Sequence, residues 1–155
     1  MDIPHHGGDV YSYEQFYTGE LIDFSSNINP LGFPKELKSG IMERFEEVLA
    51  YPDLEYRELK QNVSDYLNVD VNNVAVGNGA VEIIDAVISH FKRLILVEPC
   101  FSEYRLRGEV HNLDIISIDA REDLRIPLEE IKKTIQEGDL LILTNPHNPT
   151  GYTLT

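Results

Sequence analysis

Short apolar runs alternate with helical segments over the second half of this chain. The runs lie in "RLILVEP", "LDIISID" and "DLLILTNP", and the helical patterns "SEYRLRGEV" and "PLEEIKKTIQEG" separate them. Strands that are covered on both faces cannot alternate polar with apolar residues, so continuous apolar runs of this kind are typical of parallel β-strands with crossover helices. The sequence therefore predicts an α/β fold with a parallel-rich sheet.

The first third of the chain is organised differently. Turn signals such as "HHGGD" and "SSNINPLGFP" fill residues 1–34 and predict an irregular arm. Apolar residues then recur at helical spacing on either side of "YPD" and predict two amphipathic helices within residues 35–70. Residues 71–155 begin with a short apolar segment, Val74–Val76, which predicts a strand, and continue into a glycine turn, an apolar helix and the alternating elements. We expect three segments with these boundaries.

Composition excludes several classes of function. The 155 residues carry 27 Asp and Glu against 13 Lys and Arg, a formal net charge of -14 that repels nucleic acid and anionic membranes. Cys100 is the single cysteine, so no internal disulfide is possible and a reducing compartment fits best. The first residues resemble no signal peptide, and no stretch approaches the roughly 20 apolar residues of a membrane span. We expect a cytoplasmic protein that binds neither nucleic acid nor membranes.

The loop "GNGAVE" follows the first predicted strand. Ligands of open α/β sheets bind beyond the carboxyl ends of the strands. Here the amides of Gly79, Ala80 and Val81 would lie at the start of a helix, where amides have no intrahelical partners. They would form a binding site for an anion. The alternative is a plain strand-to-helix turn with a glycine cap. Because position 82 is Glu, the stretch is not the dinucleotide fingerprint, and we expect Glu82 to support the helix start without touching a ligand.

Two further loops, "EPCFSEY" and "NPHNPTG", follow predicted strands. Tyr104 could stack on a planar ligand, although a single aromatic residue on a helix more often belongs to the core. Cys100 fits a small buried hydrophobe better than a nucleophile, because no base is fixed near it in sequence. Asn148 lies between prolines that restrict the backbone, which suits an amide that presents a donor at fixed geometry; a capping amide in a turn is the alternative.

Taken in this order, "GNGAVE", "EPCFSEY" and "NPHNPTG", with "NINPLG" and "YPD" upstream, resemble the fold-type I pyridoxal 5'-phosphate (PLP) enzymes of the aminotransferase class I/II family. The most similar branch is the one shared by histidinol-phosphate aminotransferase and the threonine-phosphate decarboxylase of cobalamin biosynthesis. The resemblance implies the N-terminal part of the aspartate aminotransferase-like fold, with PLP as cofactor. It also implies that residues 35–70 are helices of the small-domain or interface region and that residues 71–155 are the first part of the large PLP-binding domain.

The resemblance also implies roles for individual residues. The amides of Ala80 and Val81 would bind the PLP phosphate, and Tyr104 would stack on the pyridine ring. Asn148 would hydrogen-bond the phenolic oxygen of PLP. Tyr51 of "YPD" resembles a tyrosine that reaches across a homodimer interface to the partner's PLP phosphate; the alternative is an aromatic side chain that packs locally at a helix end.

The opening of the chain favours the decarboxylase within this branch. "HHGGD" followed by "DFSSNINPLG" resembles that enzyme, whose "HGG" arm places a histidine near the substrate phosphate. This implies substrate-binding roles for His6 and Asn29, although the histidines could also be a solvated tail. The substrate would be a small phosphorylated amino acid, L-threonine O-3-phosphate. We expect no metal site, because His5 and His6 diverge and no closing ligand follows at a usual spacing.

The family's Schiff-base lysine is missing from the matching place. It lies after "NPTG", and none of the six lysines here does. No catalytic residue is therefore assigned, and the resemblance implies an N-terminal half that is inactive by itself and dimeric when complete. Three alternatives stay open: histidinol-phosphate aminotransferase or a related aminotransferase, a non-catalytic remnant of the PLP fold, and a Rossmann-type phosphate-binding domain without PLP.

Overall fold

A computed structural model describes residues 7–154, and the chain divides into two compact units between Leu59 and Lys60. The helices of the first unit are α1 (Val10–Glu14), α2 (Lys35–Glu43) and a 3-10 helix (Phe45–Leu49), and α3 (Arg57–Leu67) spans the division. The two amphipathic helices predicted within 35–70 are present as α2 and α3. The predicted arm differs from the expectation because it contains α1, at whose start the Asp9 side chain accepts a hydrogen bond from the Ser12 amide.

A three-stranded parallel sheet organises the second unit. Its elements are α4 (Ala80–Ile88), β1 (Arg93–Glu98), α5 (Ser102–Val110), β2 (Asp114–Asp119), α6 (Leu128–Thr134) and β3 (Leu140–Ile142). The strand order is β2-β1-β3, and Leu94 of β1 is in register with Ile115 of β2 and Leu140 of β3. The predicted α/β class, with parallel strands joined by helices, is confirmed. None of the helices within residues 7–154 has the length and apolar character that crossing a membrane requires.

The central strand β1 supplies side chains to two separate cores. Successive side chains of a strand point to opposite faces, so Leu94 and Leu96 face one side of the sheet while Ile95 and Val97 face the other; all four are fully buried. The first pair packs with Ile88 and Tyr104, and the second with Ile118, Ile126 and Ile131. Helices therefore cover both faces of β1, which is why its sequence is an uninterrupted apolar run.

Helix α5 lies unusually close to the sheet. Gly108 of α5 is buried, and a Cβ atom added there would lie 2.8 Å from Leu94 Cδ2 and 3.0 Å from Ile115 Cδ1. These distances leave no room for a side chain. The glycine thus allows the helix to pack directly over β1 and β2.

An ion pair joins the amino-terminal ends of strands β1 and β3. Arg93 Nη1 lies 3.0 Å from Asp139 Oδ2, and Arg93 Nη2 donates a hydrogen bond to the Thr134 carbonyl at 3.3 Å. The Asp139 side chain is only 4% exposed. The loops with the candidate functional residues lie at the carboxyl-terminal ends of the strands.

The predicted strand Val74–Val76 is wrong. Val74 has an extended backbone, with φ -105° and ψ 120°, yet residues 74–76 pair with no strand in the described part of the chain. A strand needs a hydrogen-bonded neighbour, and the sheet of the described residues consists of β1, β2 and β3 alone. The apolar pattern predicted the backbone conformation correctly and the pairing incorrectly.

Candidate functional site

Two of the predicted loops meet at the carboxyl-terminal edge of the sheet. Strands β1 and β3 are parallel neighbours, so the loops that follow them leave the sheet on the same side. A hydrogen bond joins these loops directly: His147 Nε2 lies 2.9 Å from the carbonyl oxygen of Pro99. The segments "EPCFSEY" and "NPHNPTG" are therefore brought together, as their sequence order suggested.

The start of α4 has the geometry of an anion seat. Gly79, the residue before the helix, has φ +82° and provides no side-chain cap. Among residues 7–154, no acceptor partners the amides of Ala80 and Val81, the first two of the helix. Unpaired amides and the helix dipole together attract a phosphate oxygen. The Glu82 carboxylate accepts a hydrogen bond from the Asn78 amide, which agrees with the expectation that it supports the turn.

Helix α4 packs beside α5 on one face of the sheet. Ile84 and Ile88 of α4 belong to the core cluster that contains Tyr104 of α5. His111 Nε2, just after α5, lies 3.0 Å from Asp85 Oδ1 of α4. The helix that carries Ala80 and Val81 is thus fixed to the helix that begins at the β1 loop.

Tyr104 lies in the core. It is 9% exposed and contacts Phe101 edge to face, with 5.5 Å between ring centroids and 86° between ring planes. Burial raises the pKa of its phenol, and the neighbouring Cys100 adds to the rise. The core placement was the alternative considered for this residue, and its stacking role stays a prediction. Phe101, which is half-buried and directly precedes α5, is a second ring that the sequence reasoning missed.

Cys100 is held as a neutral thiol. Burial, followed by the charge of the Glu98 carboxylate, raises its pKa to about 12. Its Sγ lies 3.5 Å from Glu98 Oε2, and that carboxylate also pairs with Arg105 Nη2 at 2.8 Å. A thiol in this setting is a poor nucleophile at neutral pH, which agrees with its assignment as a small hydrophobe.

The two asparagines of "NPHNPTG" have different surroundings. Asn145 is paired in both directions with Leu154: its Nδ2 donates to the Leu154 carbonyl at 3.3 Å, and its Oδ1 accepts from the Leu154 amide at 2.9 Å. The Asn148 backbone amide donates to Thr144 Oγ1 at 3.0 Å, whereas its side chain is exposed and has no partner within residues 7–154. Asn145 therefore holds the loop, and Asn148 has an amide available to a ligand.

The remaining predicted residues belong to the first unit. Tyr51 is 87% exposed. Asn29 Oδ1 accepts a hydrogen bond from the Leu31 amide at 3.0 Å, so its oxygen is used in a local turn while its NH₂ group has no partner in the described part of the chain. His6 lies outside the described residues. The proposed cofactor and substrate roles of all three stay predictions.

The donor set of the second unit fits a flat phosphorylated ligand better than a metal. It comprises two open amides at the start of α4, aromatic rings at the start of α5 and an unpaired amide at Asn148. No group of three or more His, Cys, Asp or Glu side chains in residues 7–154 is arranged to hold a metal ion. That these groups hold the phosphate, the pyridine ring and the phenolic oxygen of PLP stays a prediction.

Comparison with known proteins identifies the family. The sequence profile described as aminotransferase class I and II matches residues 19–155. The chain is 39% identical over 150 residues to a putative threonine-phosphate decarboxylase of Caldanaerobacter subterraneus subsp. tengcongensis, an alignment that covers 94% of this chain and 39% of the relative.

Solved structures agree with the profile. The histidinol-phosphate aminotransferase of Clostridium acetobutylicum superposes with a TM-score of 0.81 at 35% identity, over 87% of this chain and 40% of that one. The histidinol-phosphate aminotransferase of Sinorhizobium meliloti, solved in complex with pyridoxal 5'-phosphate, has the same fold with a TM-score of 0.71 at 19% identity, over 81% of this chain and 36% of that one. The chain thus spans about two fifths of the length of these three relatives. It belongs to the aminotransferase class I and II family of PLP-dependent proteins.

Proposed function

We propose that this chain is part of a PLP-dependent decarboxylase that acts on L-threonine O-3-phosphate in cobalamin biosynthesis. In this reaction the carboxylate leaves as CO2 and a proton takes its place on Cα, which yields (R)-1-amino-2-propanol phosphate. The similarity to the Caldanaerobacter protein and the "HHGGD" opening support the decarboxylase over other members of the family.

The observation that carries the proposal is the contact between the "HHGGD" opening and the segment before Asn29, both within the predicted arm. The Gly8 amide donates a hydrogen bond to Ser25 Oγ at 2.8 Å. Ser25 is held in turn by Asp23, whose Oδ1 accepts from the Ser25 amide at 2.7 Å, and Ser26 Oγ donates to Asp23 Oδ2 at 3.0 Å. The glycine pair of the arm thus lies against the loop that leads to Asn29. This contact supports an arm that contributes to substrate binding.

The residues of the second unit would hold the cofactor. In this proposal the Ala80 and Val81 amides bind the phosphate, Asn148 donates to the phenolic oxygen, and Tyr104 lies against the ring with Phe101 beside it. PLP, when bound, supplies an electron sink that protein side chains lack. Tyr51 would reach the cofactor phosphate of the partner in a homodimer.

A second candidate, histidinol-phosphate aminotransferase, is favoured by the close match to the Clostridium structure. Both reactions would use the same cofactor-binding residues. The two reactions break different bonds at the substrate Cα, so the pose in which the site residues would hold the substrate selects decarboxylation or transamination. A misplacement of about 1 Å can change the rate of such a step by about 100-fold.

The deciding experiment compares two assays on the protein as the cell makes it, supplied with PLP. We expect CO2 release from L-threonine O-3-phosphate without any oxo acid. Turnover of histidinol phosphate that depends on oxoglutarate, without CO2 release, would replace the decarboxylase with the aminotransferase. If PLP binds and neither assay gives turnover, the protein is a non-catalytic member of the fold, and if PLP does not bind, the cofactor assignment fails.

A further inference from the structure

His147 is buried between exposed neighbours. Its side chain is among the few buried polar ones and the residue is 3% exposed, although Pro146 and Asn148 on either side are exposed. Burying an imidazole costs free energy unless its polar atoms are paired. A histidine in this position therefore calls for a physical reason.

The pairing of the ring fixes its tautomer. Nε2 lies 2.9 Å from the Pro99 carbonyl oxygen, which can only accept, so Nε2 must carry a proton. Nδ1 is buried and has no partner among the residues that the structure describes. A proton on Nδ1 would be a second buried donor without an acceptor. The geometry therefore selects the tautomer with its proton on Nε2.

The backbone groups of His147 form hydrogen bonds within their own loop. The His147 amide donates to the Tyr152 carbonyl at 2.7 Å, and the His147 carbonyl accepts from the Gly151 amide at 2.7 Å. The next residue, Asn148, is tied to Thr144 Oγ1 through its amide. These bonds lie within the loop and do not join it to the neighbouring loop. The bond from the imidazole to Pro99 joins the two loops.

We infer that His147 is a positioning residue whose imidazole, as the Nε2–H tautomer, holds the Asn148 loop against the Pro99 turn. The bond thereby links the loop that carries Asn148 to the turn that precedes the aromatic residues of α5. The claim that this link serves the cofactor rests on the proposed function. The link itself rests on the hydrogen bond between His147 and Pro99. His147 touches no ligand in this account and acts through Asn148.

The first test is a measurement on the unsubstituted chain. Long-range ¹⁵N–¹H NMR spectra distinguish the two ring nitrogens of each histidine, and we expect the His147 proton on Nε2. A proton on Nδ1 overturns the inference without reference to any variant.

The second test compares His147→Leu with His147→Gln. Leucine removes the donor, whereas the glutamine Nε2 can reach the Pro99 carbonyl. For His147→Leu we expect exchange of the Asn148 and Gly151 amides to accelerate about three- to tenfold, which corresponds to the loss of one hydrogen bond. His147→Gln should restore slow exchange, and His90→Leu, the same change at an exposed histidine outside the site, should have no effect.

Equal acceleration at the β1 amides would show general destabilisation and overturn the inference, as would unchanged loop exchange in His147→Leu. If His147→Leu does not fold, the tautomer of the unsubstituted chain and the exchange of His147→Gln decide. Cofactor binding is measured separately, by PLP titration of the protein as the cell makes it. If His147→Leu accelerates exchange in the loop while Asn148→Ala leaves PLP affinity unchanged, the positioning role of His147 is supported and the cofactor role of Asn148 fails.

Discussion

The two units of the chain differ in how they treat apolar side chains. In the second unit, Leu94–Val97 are fully buried between helices. In the first unit, no residue in the range 7–59 is buried, and Phe24 and Leu31 are 92% and 91% exposed. Apolar content is therefore a poor guide to burial in this chain. Burial occurs where a sheet presents two faces to covering elements, as β1 does.

The ion pairs of the two units also differ, in sequence separation and in burial. In the first unit the ion pairs of the described residues are local and exposed: Arg44 pairs with Glu47, and Asp53 with Arg57. In the second unit, Arg93 and Asp139 are 46 residues apart in sequence, and the carboxylate is buried. Exposed local pairs add little to stability, so the second unit should contain most of the stability of the chain.

The largest expected effect comes from the middle of β1. Leu96→Ala removes fully buried methyl groups and should lower the free energy of unfolding by about 2–5 kcal/mol. Leu31→Ala, the matched change in the first unit, should alter it by less than about 0.5 kcal/mol, because the side chain is already solvated. Urea unfolding followed by circular dichroism measures both. Similar losses for the two variants would remove the distinction between the units.

A smaller effect, with opposite signs in the two units, is expected at two helical glycines. Gly108→Ala should destabilise the chain by about 1–3 kcal/mol, because the new Cβ would collide with Leu94 and Ile115. Gly40 of α2 has open space around the position of a Cβ, so Gly40→Ala should stabilise its helix by about 0.5–1 kcal/mol. Urea unfolding tests the first change and NMR amide protection in α2 the second. If Gly108→Ala were neutral, α5 would have room to move away from the sheet.

The same contrast explains what could be predicted from sequence. Strand β1 was predicted because a continuous apolar run is a local signal of a strand that is buried on both faces. Helix α5 was predicted because helical periodicity is also a local signal. Val74–Val76 was predicted as a strand and is unpaired, although Val74 is extended, since pairing depends on residues far along the chain. Local pattern thus determines conformation better than it determines partners.

The candidate site shows this limit residue by residue. The open amides of Ala80 and Val81 follow from a glycine turn before a helix and were predicted. The burial of His147 depends on the Pro99 carbonyl 48 residues earlier, and no local pattern indicates it. Asn145 and Asn148 are alike in sequence, each preceding a proline, and only the bonds to Leu154 distinguish the structural one from the available one.

The smallest expected effect is a pH response confined to the first unit. The pKa of Asp23 is lowered from its ordinary value of 3.8, chiefly by the Ser25 hydroxyl and then by the Ser25 amide and the Ser26 hydroxyl. A lowered pKa means that the carboxylate stabilises this turn above pH 3.8 and that the contribution is lost as the pH falls through the lower value of the folded chain. NMR protection factors of the Gly8 and Ser25 amides should therefore fall at acidic pH while those of β1 persist. Asp23→Ala, which removes the acceptor, should show low protection at the Ser25 amide already at neutral pH and no acid step; a step that survives this substitution would assign the response to another group and leave the Gly8–Ser25 contact independent of Asp23.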